Sequence, residues 1–363
     1  MLGVKQNEMH QHNVICLEKF KKEVVYDSIK RRYTVALPFK KNKNLLPSNQ
    51  WIALKRTQIL QRAFLKDKNY GLQYAAQISN LLTSDFIEEV LPDTKVGEIV
   101  HYLPHRGIVK KDNKTTSLRI VMDASCKANA SSLSLNDCLY TGPNMIQSMT
   151  SLLLKFRKEK YGFSADVEKA FLNLTIKTLD RDALRFFFPL DIFDPTSPMR
   201  IFRYKVVMFG ASSSPFLLAA VIETHLDNHV HDRVLQDSLK NIFIDNLLGS
   251  KKTEKELVDF FYEARKIYNQ MGLNLRQWAS NSEKLVEIAR KEGVWDESPL
   301  VKVLGHRWNT IEDEFSYQTE LNIVNKTSKR IVLGIGSQVK DPFGFILPIE
   351  MRFRNFIQKL WHN

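Results

Sequence analysis

The sequence predicts an α+β fold, in which short strands and hairpins are interspersed with amphipathic helices. Helical periodicity, with apolar side chains on one face, is found over 48–64 and 348–361. Short segments rich in aromatic and other apolar residues, such as 161–166 and 200–208, predict strands between the helices. The chain has 363 residues, of which 44% are hydrophobic, so it is long enough to form two or three subdomains.

The predicted elements are delimited by residues that favour the ends of helices and strands. Ser48 and Ser214 suit helix N-caps, Pro215 suits a first helical position, and Gly272 suits a helix end. In chain order we expect a strand over 33–37, helices over 48–64 and 70–86, strands over 107–111 and 118–122, a helix over 146–158, a strand ending at 166, a strand over 200–208, a helix over 214–230, a hairpin around 245, a helix over 254–271, a strand and turn over 301–308 and a helix over 348–361.

The composition indicates an anionic partner and a reducing compartment. Lys and Arg number 53 against 40 Asp and Glu, a net charge of +13, and nucleic acid is the commonest large polyanion. The alternative is a basic protein whose charge serves only solubility. Cys16, Cys126 and Cys138 have no metal-ligand spacing and cannot form a disulfide framework, so we expect an intracellular protein, cytoplasmic or nuclear.

No membrane role is expected from the sequence. The longest apolar run, 216–222, is too short to span a bilayer, and the N-terminus has no hydrophobic region of a signal peptide.

The most informative stretch is 241–250, where two apolar runs flank the dipeptide Asp245-Asn246. This pattern predicts a tight hairpin with an acidic tip. Alone it indicates only a turn, but Asp166 ends a predicted strand upstream, as in template-dependent polymerases, which gather such carboxylates around two divalent metal ions. The alternative role for Asp166 is a helix N-cap.

Three segments occur in the order of reverse transcriptase motifs A, B and C. They are DVEKAF at 166–171, FGASSSPF at 209–216 and FIDN at 243–246. More specifically, the chain resembles the BEL/Pao family of LTR retrotransposons. The further segments that carry this resemblance are 118–125, 134–137 with 142–143, 273–281, 303–309 and 341–348.

The resemblance implies a right-hand polymerase fold, with an antiparallel palm sheet packed on helices, plus fingers and a partial thumb. The boundaries expected from it are an N-terminal lead-in with fingers helices over 1–95, fingers and palm with motifs A, B and C over 96–250, the rest of the palm with the primer-grip region over 251–310, and the start of the thumb or connection over 311–363.

The activity implied by the resemblance is RNA-directed DNA polymerisation on a primed RNA or DNA template, using deoxynucleoside triphosphates. By resemblance, Asp166 and Asp245 are the ligands of two Mg²⁺ ions, for which Mn²⁺ can substitute. Carboxylates are suitable because Mg²⁺ prefers hard oxygen ligands. The sequence leaves the oligomeric state open.

The hairpin over 110–119 is expected to contact the triphosphate of the incoming nucleotide. Arg119 suits this role because its planar guanidinium binds phosphate oxygens in pairs, and Lys110 or Lys111 would add a point charge. Which lysine makes the contact stays open, because the turn length does not fix the register. The alternative is a solvated basic hairpin.

Two further nucleotide-binding residues are implied by the resemblance. Phe171 would lie under the sugar and exclude a 2′-hydroxyl, although it could instead be a core aromatic residue. Gly210 would let the backbone approach the nucleotide. Phe209 stands where retroviral enzymes have Gln, so that nucleotide contact is not expected here.

The primer-grip region is expected over 304–308. It comprises Leu304, Gly305, His306, Arg307 and Trp308. For Trp308 the alternative is again a place in the core.

Asn246 departs from the family pattern, because related sequences have a second Asp at the hairpin tip. The loss of one negative charge predicts catalysis slowed by roughly 10² to 10⁴. We therefore expect a weakened or inactive polymerase; the alternative is a non-catalytic nucleic-acid-binding remnant of the fold. Protease, RNase H and integrase regions were not found in the sequence, so we expect a copy truncated before RNase H.

Overall fold

The structure is a computed structural model that describes residues 2–94, 96–109, 118–317, 328–336, 341 and 343–362. The helices are α1 (Leu2–Glu23), α2 (Gln50–Lys66), α3 (Lys68–Thr83), α4 (Leu135–Cys138), α5 (Met149–Arg157), α6 (Ser214–His229), α7 (Arg233–Leu239), α8 (Glu254–Gln270), α9 (Glu283–Lys291), α10 (Lys329–Gly336) and α11 (Leu347–His362). The strands are β1 (Val25–Asp27), β2 (Arg32–Val35), β3 (Ile87–Glu89), β4 (His105–Val109), β5 (Leu118–Met122), β6 (Tyr161–Val167), β7 (Thr175–Ile176), β8 (Arg185–Pro189), β9 (Met199–Tyr204), β10 (Ile242–Phe243), β11 (Asn246–Lys251), β12 (Leu275–Ser280), β13 (Leu300–Val303), β14 (His306–Asn309) and β15 (Glu314–Ser316).

The chain divides into two compact units. Unit 1 comprises Met1–Met145, Lys169–His229 and Asn269–Leu273. It contains the sheets β1-β2-β7 and β3-β9-β8 and the hairpin β4-β5. Its core includes Phe64, Tyr74 and Phe186, which are buried side chains from helices α2 and α3 and strand β8.

Unit 2 comprises Ile146–Glu168, Val230–Tyr268 and Asn274–Asn363. Its main sheet has four antiparallel strands in the order β10-β11-β6-β12, so β6 is central. Helix α8 packs on this sheet through Phe260 and Phe261, whose rings contact Phe163 and Trp278 respectively. Strands β13, β14 and β15 form a second antiparallel sheet.

The mixture of helices and antiparallel sheets confirms the predicted α+β class. The expected helices before Gly272 and at the C-terminus are present as α8 and α11. Helix α1 and strands β3 and β8 were not expected. The apolar residues of α1 are interspersed with polar and charged ones and define no clear apolar face, and β8, which begins with Arg185, is buried at every position and therefore shows no alternation.

Both predicted serine caps are wrong in detail. Helix α2 follows Asn49, which has a left-handed φ of 59° and makes no side-chain cap, while the carbonyl oxygen of Ser48 accepts from the Tyr102 amide. Helix α6 begins at Ser214 itself, whose hydroxyl donates to the carbonyl oxygen of Met208 at 2.7 Å. In both cases the serine makes a different hydrogen bond from the one that capping preferences assume.

None of the helices that the structure describes combines the length and apolar character needed to cross a membrane.

Candidate functional site

The four-stranded sheet of unit 2 brings Asp166 next to the acidic hairpin. Asp166 lies near the end of the central strand β6, and its register partner on β11 is Asn246. Beyond this pair, the Val167 amide donates to the carbonyl oxygen of Asp245 at 2.7 Å. Because adjacent strands lie about 4.8 Å apart, the Asp166 and Asp245 side chains start from neighbouring backbone positions.

The hairpin turn is one residue earlier than the sequence predicts. Phe243 pairs with Asn246, so Ile244 and Asp245 form the tip and Asn246 is the first residue of β11. Ile244 consequently has a φ of 61°, in the left-handed region that a β-branched residue avoids. Such a conformation costs on the order of 1–3 kcal/mol and requires support from surrounding structure.

The Asn246 side chain contacts the neighbouring carboxylate. Its Nδ2 donates a hydrogen bond to Oδ1 of Asp245 at 2.9 Å. A second Asp at this position has no hydrogen to donate when ionised, so Asn246 changes the environment of Asp245 as well as the charge.

On its other side, Asp166 pairs with Arg276 of strand β12. The Arg276 Nε lies 3.8 Å from Oδ2 of Asp166, and its Nη1 donates to Oε1 of Glu168 at 3.1 Å. Glu168 also accepts from Nδ2 of Asn274 at 3.0 Å. Arg276 and Glu168 were not predicted as site residues, although Arg276 lies within the family-like segment 273–281 and Glu168 within motif A.

The carboxylates fit a site in which the protein supplies only part of the coordination of a divalent cation. In the described part of the chain, no cluster of three or more His, Cys, Asp or Glu side chains could hold a metal ion. Mg²⁺ commonly binds through one or two carboxylates together with water and substrate phosphates. Asp166 and Asp245 meet that requirement, whereas Asn246 adds no charge.

In unit 1, the hairpin β4-β5 presents two arginines on one face. Arg119 is exposed and pairs with Ile108, and the exposed Arg106 pairs with Val121 two positions along. Directly paired residues share a face, so Arg106 and Arg119 are on the same side. Arg106 was not predicted; the register identifies it. Lys110 and Lys111 lie outside the residues that the structure describes.

The base of this hairpin is anchored on helix α3. His105 donates from Nε2 to the carbonyl oxygen of Phe187 at 2.8 Å, which leaves Nδ1 to accept from the Tyr74 hydroxyl. The Tyr70 hydroxyl accepts from the Gly107 amide at 3.2 Å. Burial lowers the pKa of His105 to about 4, so the imidazole is neutral in the folded protein at pH 7.

Phe171 and Gly210, the other predicted nucleotide-binding residues, also belong to unit 1. Phe171 is only 7% exposed, and its ring packs edge-on against Phe209 with centroids 5.1 Å apart. Gly210 has a φ of 111°, and a Cβ there would lie 2.2 Å from the carbonyl oxygen of Met122. The glycine is therefore required by its own backbone and by close approach to β5.

The side chain of Asn136 makes hydrogen bonds to the segment 210–212. Its Nδ2 donates to the carbonyl oxygen of Gly210 at 3.1 Å and to the Ser125 hydroxyl at 2.8 Å. Its Oδ1 accepts from the Ser212 amide at 2.8 Å. One side chain thus joins the segment after β5 to the segment before α6.

The predicted primer-grip residues form the β13-β14 hairpin of unit 2. Leu304 and Gly305 are its turn and both have positive φ, 47° and 98°. Trp308 is fully buried, packs edge-on against Phe156 at 4.7 Å and donates from Nε1 to Asp313. Trp308 is therefore a core residue in this structure, which was the alternative to a role in primer binding.

His306 and Arg307, the other predicted primer-grip residues, differ in exposure. His306 is buried and burial lowers its pKa, while Arg307 is half-buried. Only Arg307 and the two turn residues are therefore accessible.

Comparison with known proteins identifies one family. The family model described as reverse transcriptase (RNA-dependent DNA polymerase) matches residues 108–307. No curated protein matches the chain in sequence.

Two solved structures of a foamy viral protease-reverse transcriptase are similar in fold. The complex with double-stranded DNA has a TM-score of 0.52 and 15% identity, covering 77% of this chain and 42% of that chain. The complex with an RNA/DNA hybrid has a TM-score of 0.52 and 15% identity, covering 80% of this chain and 34% of that chain. The chain thus spans less than half the length of either. The similarity and the family match confirm the predicted α+β polymerase fold.

Proposed function

The chain belongs to the reverse transcriptase (RNA-dependent DNA polymerase) family, and from this premise we propose that it is the RNA-directed DNA polymerase domain of a BEL/Pao-type retrotransposon. The observation that carries the proposal is the place of Asp166 on β6, opposite Asn246 and one residue from the backbone contact with Asp245. The BEL/Pao assignment is supported by the segments 118–125, 273–281 and 303–309. We retain the predicted domain boundaries as part of the proposal.

The proposed reaction is nucleotidyl transfer to a primer. The primer 3′-oxygen forms a bond to the α-phosphorus of a deoxynucleoside triphosphate, and pyrophosphate leaves. Asp166 and Asp245 would hold two Mg²⁺ or Mn²⁺ ions, which supply activation of the 3′-hydroxyl and offset charge at the phosphorus and on pyrophosphate. The strained turn at Ile244 fixes the backbone from which the Asp245 carboxylate projects.

Residues of unit 1 would bind the nucleotide. Arg119, supported by Arg106 on the same face, would bind phosphate oxygens, and either lysine of the turn would add charge. Phe171 would restrict the space at the sugar, and Gly210 would let the backbone lie close to the nucleotide. Arg307 and the Leu304-Gly305 turn would contact the primer.

The proposed macromolecular partner is a primer annealed to an RNA or DNA template. The net charge of +13 favours binding to phosphate backbones. The structurally similar foamy viral proteins are described in complex with double-stranded DNA and with an RNA/DNA hybrid.

A second candidate function is nucleic-acid binding without catalysis. It is favoured by Asn246, whose amide donates to an oxygen of Asp245 and which contributes no charge to a metal site. Both candidates require a basic surface for the template, so charge alone does not separate them.

Primer extension on an RNA template separates the two candidates. Purified protein is given a labelled DNA primer, four deoxynucleoside triphosphates and either Mg²⁺ or Mn²⁺, with Asp166→Asn as the matched control. Extension that Asp166→Asn abolishes supports the polymerase, while equal background in both proteins supports the non-catalytic candidate. Extension that persists in Asp166→Asn would contradict the assigned site.

Salt dependence of primer-template binding tests what the two candidates share. Each phosphate neutralised by Lys or Arg on double-stranded DNA contributes about 0.9 to the slope of log K against log salt, so several contacts make binding steeply salt-dependent. Fluorescence anisotropy between about 50 and 200 mM salt measures this slope. A flat response, or affinity no greater than for heparin, would argue against both candidates.

A further inference from the structure

Arg276 is a fixed positive charge beside a proposed metal ligand. Its Nε lies 3.8 Å from Asp166, and its guanidinium is also held by the hydrogen bond to Glu168. Arginine does not lose its proton in proteins, so this charge is permanent. Asp166 and Arg276 are 27% and 31% exposed, so the pair is only partly screened by water.

The backbone of β12 is irregular directly after Arg276. Arg276 pairs with Asp166, but the next pair is Ala279 with Ser164, so β12 has one extra residue. This bulge contains Gln277 with a left-handed φ of 50°. Bulges redirect side chains and often lie beside active sites. The bulge keeps Arg276 opposite Asp166 while Trp278 and Ala279 enter the core.

Glu168 and Asn274 complete the surroundings of the guanidinium. Glu168 accepts from both Arg276 and Asn274, and its amide donates to the carbonyl oxygen of Asn274 at 2.9 Å. The hydrogen bond from Arg276 to Glu168, which Asn274 also contacts, restrains the guanidinium. These contacts make a stable position for the cation rather than one of many surface rotamers.

We propose that Arg276 is a positioning residue that holds Asp166 and lowers the affinity of the Asp166–Asp245 carboxylates for a divalent cation. This inference rests on the proposed function, because it assumes that these carboxylates bind the metal. A cation near a ligand repels a second cation, and the neutral Asn246 offers no compensation. The extra negative charge of the triphosphate then strengthens metal binding, so the site binds the cation more tightly with nucleotide present than without it.

Mn²⁺ binding without nucleic acid or nucleotide tests the proposal. Electron paramagnetic resonance reports free Mn²⁺ during titration at about 0.15 M salt, where distant charges are largely screened. Arg276→Gln should bind Mn²⁺ roughly tenfold more tightly than wild type, because a positive charge is removed and the negative charge of Glu168 is no longer neutralised by an ion pair. The Mn²⁺ affinity of Arg276→Lys should stay near that of wild type, because the positive charge is kept. Glu168→Gln should bind Mn²⁺ more weakly than wild type, because a negative charge beside Arg276 is removed.

Three controls separate this inference from the proposed function and from loss of stability. Arg157→Gln removes an arginine that is ion-paired with Asp313 in the same unit and has 40% exposure, and it should leave Mn²⁺ affinity unchanged. Asp166→Asn should abolish binding, alone and combined with Arg276→Gln. The melting temperatures of all variants show whether a change in Mn²⁺ affinity results from a change in the stability of the protein.

The outcomes of the Mn²⁺ titrations separate the role of Arg276 from the assignment of the metal ligands. Tighter binding in Arg276→Gln that Asp166→Asn removes supports the proposal. Equal Mn²⁺ affinity in wild type and Arg276→Gln, with Asp166→Asn abolishing binding, overturns the proposed role of Arg276. It still supports Asp166 as a metal ligand. Binding that is insensitive to Asp166→Asn, or undetectable in every variant, overturns the inference and the proposed metal ligands together.

Discussion

Asn246 lies directly opposite Asp166 across the β6–β11 pair, and its amide donates to Asp245. Asn246 is thus the strand partner of one proposed metal ligand and the hydrogen-bond donor to the other. An ionised Asp at this position would bring a third negative charge and replace that hydrogen bond by repulsion. The identity of residue 246 therefore affects metal affinity and the stability of the metal-free tip in opposite directions.

Asn246→Asp should raise primer extension by about 10² or more, because it restores the missing charge for metal binding. The two side chains are nearly isosteric, so the fold should be kept. Without metal the variant should lose about 1 kcal/mol of unfolding free energy through the lost hydrogen bond, and Mg²⁺ should recover this loss. Extension assays and urea unfolding with and without Mg²⁺ measure both effects.

The double variant Asn246→Asp with Asp166→Asn is the control for this gain, and its extension should return to background. Equal extension in wild type and Asn246→Asp would remove Asn246 as the main lesion. If both proteins were inactive, the defect would lie elsewhere in the protein; if both were fast, the second carboxylate would be dispensable.

Ile244→Gly should be less destabilising than Ile242→Gly, although both isoleucines are half-buried in the same hairpin. Only Ile244 has a positive φ, and glycine removes a strain of about 1–2 kcal/mol there. We expect the loss of unfolding free energy in urea to be smaller by about that amount. An equal or larger loss for Ile244→Gly would show that the turn is unstrained.

The strand β6 and the position of Asp166 could be predicted because local pattern determines them. The segment 161–165 is mostly apolar, and the charged residues Glu168 and Lys169 follow directly after the strand. The hairpin register could not be predicted in the same way, because turn propensity favours Asp245-Asn246 as the tip. Pairing of Phe243 with Asn246 and the contact between Val167 and Asp245 are tertiary, and they force Ile244 into the turn instead.

Arg276 and Arg106 show a second limit of sequence reasoning. Arg276 reaches Asp166 only through the pairing of β12 with β6, two strands far apart in the chain. Arg106 joins Arg119 only through the register of β4 with β5. A basic residue in an apolar strand indicates exposure, whereas its partner is determined by sheet order, which the sequence pattern does not contain.

Arg119→Ala should weaken nucleotide binding with little change in stability, because the exposed side chain contributes little to the core. The loss of a charge-assisted phosphate contact predicts a KM for nucleotide raised by roughly 10- to 100-fold. If extension is too slow, nucleotide-dependent retention of a dideoxy-terminated primer-template gives the same comparison. Arg62→Ala, an exposed arginine of α2, is the charge-matched control and should resemble wild type. A large fall in melting temperature would instead make Arg119 structural.

His105→Gln should reduce the dependence of stability on pH. Burial lowers the pKa of His105 from 6.5 to about 4, so between these values the unfolded chain binds a proton that the folded chain does not. The free energy of unfolding therefore falls as the pH drops from 6.5 towards 4, by about 1 kcal/mol per pH unit for this group. His225, whose pKa burial also lowers to about 4, contributes a similar share that remains in the variant.

Tyr74→Phe is the matched control for His105→Gln, since it removes the hydroxyl that His105 accepts from but keeps the imidazole buried. Both variants should be less stable than wild type at pH 7, because each leaves a buried polar group without a partner. Only His105→Gln should show a smaller difference between pH 6.5 and pH 4.5 in urea unfolding. A pH dependence unchanged by His105→Gln would mean that the imidazole takes up a proton as readily in the folded protein as in the unfolded chain, and the anchoring of the β4-β5 hairpin through a histidine kept neutral by burial would then be wrong.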